Sequence, residues 1–123
     1  MIKAGSFYVS LWVGVLVLFC ALCGALEWLL LSYAALSIHE CAHYLAAKRL
    51  RIACRGLVLQ PFGITLRLKD NRITEPCDEI ILCLAGPVAN LCAAACIYFG
   101  CGMAGDGVRY LLFSNLSLAA INL

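Results

Sequence analysis

The chain has 123 residues, of which 64% are hydrophobic and 13% charged, with a mean hydropathy of +0.96. Soluble domains are nearer half apolar and a quarter charged, so composition excludes an ordinary soluble domain and points to a membrane protein with room for three or four spans. The net charge is +2, but seven of the nine basic residues lie between Lys48 and Arg72; flanked by apolar runs, that cluster reads as a cytoplasmic loop and argues against nucleic acid as a partner.

Taken in chain order, Phe7 to Leu26 is a run of 20 uncharged residues, the length of a membrane span. Lys3 ahead of it leaves a cleavable signal peptide as the competing reading, but a second apolar run follows at once, which favours a retained helix over about 7–26. Gly24 and Glu27 mark a turn. The second helix is expected over about 28–49, ending at the basic Lys48, Arg49 and Arg51. Leu57-Val58-Leu59 and Ile64-Thr65-Leu66-Arg67-Leu68 are β-prone runs separated by Gln60-Pro61-Phe62-Gly63, which predicts a hairpin over about 55–69. It lies at the membrane surface or dips into a protein-lined cavity; plain interfacial anchoring explains it equally well. Asp70-Asn71-Arg72 and Glu75-Pro76 are turn material. A third helix is expected over about 79–100, with Asp78 and Glu79 at its positive end. Gly86-Pro87 interrupts it and frees a backbone carbonyl, either beside a site or as an ordinary kink. Gly100 to Gly107 is a loop. Tyr110 to Leu123 holds only 14 uncharged residues, so the fourth helix, about 109–123, reads as truncated. The expected fold is thus an all-α polytopic membrane protein, three full transmembrane helices plus a truncated fourth, with one small β-hairpin, forming a single unit over 1–123. Lys3 and the 48–72 loop are two spans apart and so share a side, the cytoplasmic one, in a bacterial-type inner membrane.

The nine cysteines are odd in number and irregularly spaced, and most lie in apolar segments. They read as small hydrophobes rather than a disulfide scaffold, and Cys20-x-x-Cys23 is a weak redox signal.

Chemistry concentrates in His39-Glu40-Cys41-Ala42-His43, which holds both histidines of the protein. Positions i and i+4 share one face of a helix, so both imidazoles can hold one zinc ion, with Glu40 able to act on a zinc-bound water. Cys41 points off that face. His39 lies roughly 15 Å from the basic end of its helix, inside the hydrocarbon zone, where ionisable residues are expensive and normally functional. Taken singly, each histidine could be a helix–helix hydrogen-bonding group and the glutamate a proton relay; the combination points to metal-dependent hydrolysis. A non-catalytic metal-binding or metal-transport protein is the alternative, and a metal-free structural subunit a third reading. Ala34, Ala35, Ala42, Ala46 and Ala47, with Gly86, Ala89 and Ala93, are small enough for close helix contact.

The chain resembles the site-2 protease family of intramembrane zinc metalloproteases. The resemblance rests on His39-Glu40-x-x-His43, Gln60-Pro61-Phe62-Gly63, Glu79 with Ala85-Gly86-Pro87-x-x-Asn90, and Asn115 with Ala120-Ile121-Asn122-Leu123. It implies His39 and His43 as metal ligands, Glu40 as the catalytic base, and cleavage of a transmembrane or membrane-associated protein substrate, with regulatory membrane proteins as further partners. Gly86, Pro87, Asn90 and Asn122 are expected to support the site. Ile64 and Leu66 are expected to receive the substrate as an added strand. The short loop before the third helix leaves no room for a PDZ domain, which matches the compact, sporulation-factor-processing branch. The family's third ligand is an aspartate beyond Asn122-Leu123; Asp70, Asp78 and Asp106 are poor substitutes. The chain is therefore expected to be an N-terminal fragment, inactive or nearly so by itself.

Overall fold

A computed structural model describes residues 2–4, 7–61, 63–68 and 75–122. The elements in chain order are β1 (Ile2–Ala4), β2 (Phe7–Val9), α1 (Leu11–Leu22), α2 (Leu26–Arg49), β3 (Cys54–Gln60), β4 (Gly63–Leu68), α3 (Pro76–Cys101) and α4 (Asp106–Asn122). Phe62, the expected turn at Asp70-Asn71-Arg72, and Leu123 lie outside the described residues.

The expected hairpin, β3 with β4, is half of a four-stranded sheet ordered β1-β2-β3-β4. This corrects the expectation of a single hairpin in an otherwise helical chain. β1 and β2 pair antiparallel, and β2 lies parallel to β3, with Phe7, Tyr8 and Val9 opposite Leu57, Val58 and Leu59. The Ser10 amide extends the ladder by donating to the Leu59 carbonyl at 3.0 Å. The apolar run over 7–26 therefore splits. Its first residues are aromatic or β-branched and find a strand partner, whereas periodicity cannot tell a strand from a helix in so short a run.

What remains for α1 is 12 residues, about 18 Å of helix, short of the roughly 30 Å hydrocarbon layer. It stops where Gly24 takes φ +71°. The Gly24 amide then donates to the Ala21 carbonyl and the Ala25 amide to that of Cys20, a Schellman closure. α2 ends the same way, with amides of Arg51 and Ile52 reaching Lys48 and Ala47 carbonyls. There a non-glycine residue, Arg51, occupies the left-handed position at φ +59°.

α3 starts with Pro76 in its first turn beside Asp78 and Glu79, a favourable helix start. It runs on through Pro87 as one helix of 26 residues, which corrects the expected interruption. Among the described residues it is the one helix that is both long and apolar enough to cross a membrane. α2 is 24 residues long, but its charged and histidine positions dilute its apolar character.

α2, α3 and α4 pack on one another, while α1 and the sheet lie against α2. Small residues allow this: Ala35, Ala47, Gly86, Ala94 and Ala119 are buried at the contacts, as expected where helices approach closely. Ala34, expected at such a contact, is exposed. At the glycine-loop end, Trp28 packs edge-on to Tyr110, whose hydroxyl lies 2.6 Å from that of Ser32. Facing outward are Trp12, Leu18, Phe19, Leu22, Phe99 and Ile121, all more than half exposed. A shell of this kind suits lipid and would be a liability in water.

Candidate metal centre and active site

His39 and His43 lie one turn apart on α2, and both imidazoles turn toward α3. Each is anchored through Nδ1. His43 Nδ1 lies 2.7 Å from the Leu82 carbonyl, and His39 Nδ1 lies 2.6 Å from Asn90 Oδ1. A carbonyl only accepts, so His43 donates from Nδ1. Asn90 directs its Nδ2 protons to Ala35 O at 3.2 Å and Asn115 Oδ1 at 2.7 Å, leaving Oδ1 as the acceptor for His39. A ring that holds its single proton on Nδ1 keeps a lone pair on Nε2. The two Nε2 atoms face each other at 3.0 Å.

Two converging lone pairs call for a cation. Nitrogens bound at 2.0–2.1 Å to one tetrahedral zinc lie about 3.3 Å apart, close to the spacing seen. Both rings lie hard against α3. A Cβ added to Gly86 would collide with His43 Nε2 and come within 2.5 and 2.6 Å of His39 Cε1 and Nε2. The missing side chain of Gly86 thus lets both imidazoles pack directly on the α3 backbone. Anchoring of each ring through its other nitrogen is how metal-binding histidines are normally oriented. Among the described residues, no group of three or more His, Cys, Asp or Glu side chains gathers at metal-binding distance, so the pair accounts for two ligands.

Glu40, part-buried on the next position of α2, accepts a hydrogen bond from the Leu66 amide at 3.1 Å. Strand β4 has β3 as its one sheet neighbour, and its outer edge faces this carboxylate. A cleft of about 280 Å³ opens between them, lined by Glu40, His43, Thr65, Leu66, Leu82 and Cys83. The His39–His43 segment, the edge strand and α3 therefore meet around one apolar cleft, as ligand sites do.

The remaining expected residues are placed unevenly. Pro87 is fully buried next to Gly86 and brings no N–H to the Cys83 carbonyl four residues back. Ile64 lines a separate apolar cavity with Val13, Tyr33, Ser37 and Leu59, away from Glu40. Asn122 is exposed in the last described turn of α4, its amide donating to the Leu118 carbonyl, and it makes no contact with the imidazoles. Asp106 is exposed and pairs with Arg109 at 3.6 Å. Cys41 is exposed, on the side of α2 opposite the site.

Three contacts at the site were not foreseen: the Leu82 carbonyl, the amide of Leu66 (a residue expected there only to receive substrate) and Asn115. The first two are backbone groups and carry no residue-type signal. Asn115, fully buried in an apolar helix, could have been flagged on that ground, because a buried polar side chain requires partners.

A model of peptidase family M50 matches residues 28–122, a stretch that takes in the motif, the sheet edge, Gly86 and both buried asparagines. The chain belongs to peptidase family M50. Family M50 peptidases are membrane-embedded metalloproteases, generally zinc-dependent. No curated protein sequence matches the chain significantly. In this M50 chain the donor set fits zinc by its own chemistry: two imidazoles, each held through Nδ1, with their Nε2 atoms turned to each other.

Proposed function

We propose that the protein is a zinc-dependent intramembrane endopeptidase that cleaves a transmembrane or membrane-associated protein, with His39 and His43 as ligands and Glu40 as general base. The observation that carries this reading is the approach of the two Nε2 atoms to 3.0 Å, with His43 and Glu40 lining one cleft. Catalytic zinc takes three protein ligands; the third is proposed to be an aspartate outside the described residues. Zinc, when bound, lowers the pKa of water and polarises a carbonyl. Glu40 would take the proton from the attacking water and pass it to the leaving amine, which needs a carboxylate within one hydrogen bond of both.

The free edge of β4 supports a route for substrate. A helix hides its carbonyls, so a spanning segment must become extended before hydrolysis. An extended segment adding along β4 would bring its backbone alongside Leu66 and into the Glu40 cleft. It would also compete with Glu40 for the Leu66 amide. The short connection between α2 and α3, occupied by the hairpin, supports placement in the compact branch without a PDZ insertion. The parallel pairing of β2 with β3 supports one shared side, proposed to be cytoplasmic, for the N-terminus and the 48–72 loop.

The deciding experiment is Glu40→Gln in the full-length protein, co-expressed with a membrane-protein substrate. Zinc content should be retained and cleavage lost. Undiminished cleavage would rule the proposal out, and metal flux that depends on both histidines but not on Glu40 would establish a transporter instead.

A further inference from the structure

We propose that Asn115, on α4, is a positioning residue for the metal centre: acting through Asn90, it fixes which nitrogen of His39 carries the proton. The inference rests on the reading of His39 as a metal ligand and concerns how that ligand is held ready.

The order of donors starts at a backbone carbonyl. Leu111 O can only accept, and Asn115 Nδ2 donates to it at 2.8 Å. That orients the Asn115 amide with Oδ1 toward Asn90, where it accepts from Asn90 Nδ2 at 2.7 Å. The second Nδ2 proton of Asn90 goes to the Ala35 carbonyl at 3.2 Å. With both protons committed to acceptors, Asn90 can offer His39 only its oxygen, 2.6 Å from Nδ1. The His39 proton is thereby held on Nδ1, and Nε2 keeps the lone pair that faces His43.

Each bond in this line sets the direction of the next. An isolated imidazole can take either tautomer, and an isolated Asn amide can be flipped; the line removes both freedoms. Asn90 and Asn115 are both 0% exposed, so bulk water cannot stand in for a missing partner. Of the two groups that hold Asn90, Asn115 makes the shorter bond, and it comes from a different helix than the ligand. α4 contributes no side chain to the cleft beside Glu40, yet in this arrangement it sets the donor atom of a ligand on α2. His43 takes no part, because its proton is fixed independently by Leu82 O.

The test uses full-length protein in lipid nanodiscs, metal-free, with ¹⁵N-labelled imidazoles. The described chain's two histidines give two separable sets of ring signals, and His43 serves as an internal reference for the fold. Wild type should show Nδ1–H and a bare Nε2 at His39. Asn115→Leu removes the acceptor, so His39 should become a mixture of tautomers while His43 is unchanged. Zinc affinity, measured by chelator competition, should fall about tenfold, in the range for loss of an outer-shell partner. Asn115→Asp, as the neutral acid, keeps an oxygen toward Asn90 and an O–H toward Leu111 O, and in that form should restore both readouts. Leu112→Ala loosens the buried packing of α4 without touching the amide line and should leave the His39 signals alone. An unchanged His39 spectrum in Asn115→Leu overturns the proposal, as does an equal shift in Leu112→Ala. If wild type binds no zinc, the metal reading fails, and the His39 spectrum of Asn115→Leu still decides the amide line.

Discussion

His39 and His43 present their Nε2 atoms to each other at 3.0 Å, and each ring turns its other nitrogen, Nδ1, to an acceptor on α3. Packed helices would not hold two lone pairs in opposition without a positive charge to share. α3 sets this arrangement through Asn90 and Leu82, and Gly86 lets both rings lie against its backbone.

Gly86→Ala should push both imidazoles off α3. The new methyl group would sit 2.5–2.6 Å from His39 ring atoms and against His43, and backbone and rings would have to separate. Zinc affinity is expected to fall by at least tenfold, the scale on which ligand orientation acts. Isothermal titration or chelator competition measures it; wild-type affinity in this variant would mean that the metal sits elsewhere.

Asn90→Leu should leave the His39 Nδ1 proton and the Ala35 carbonyl without their partner in a buried setting. A lost partner of this kind costs about 1–3 kcal/mol, so a lower thermal midpoint in detergent is expected together with weaker zinc binding. Asn90→Asp, which keeps an oxygen toward His39, should recover most of the metal affinity.

Neighbouring amides of a strand point to opposite edges. Leu66 directs its N–H to Glu40, so those of Thr65 and Arg67 face β3. Thr65→Pro should therefore break the ladder and destabilise the hairpin. Leu66→Pro should leave the ladder standing but free the Glu40 carboxylate, with a loss in cleavage rate of about tenfold or more from misplacement of the base. Melting curves and cleavage assays on the pair separate the two effects, and equal behaviour at both positions would refute the assigned register.

Arg51 carries the left-handed turn that ends α2 at φ +59°. A non-glycine residue pays roughly 1 kcal/mol or more for that conformation. Arg51→Gly is expected to raise stability by about that amount in chemical or thermal unfolding, without changing zinc affinity.

How far the site could be read beforehand depended on the kind of group involved. His39, Glu40 and His43 were legible because side-chain spacing on a helix is a direct property of residue order. Gly86 and Asn90 were legible as parts of a family likeness, but their tasks, a vacated Cβ and an acceptor for Nδ1, exist only once α3 lies against α2. Backbone partners such as Leu82 O and the Leu66 amide leave no mark in residue type at all. The N-terminal strands were hidden for another reason. Phe7-Tyr8-Val9 is apolar whether it spans or pairs, and its partner, Leu57-Val58-Leu59, lies some fifty residues away, beyond the reach of local pattern. Ile64 was expected beside the site as part of the strand that receives substrate; the cleft takes in Thr65 and Leu66 but not Ile64, which faces another cavity.

Every group that holds the motif lies later in the chain than the motif itself: the Leu66 amide, the Leu82 carbonyl, Gly86, Asn90 and Asn115. A chain emerging from its N-terminus therefore displays both histidines and the glutamate well before it has anything to aim them with. Competence to bind metal arrives only when α3 docks, and the tether of the glutamate only when the last strand is laid down. A nascent chain thus carries both histidines and the glutamate before the partners that orient them have been made.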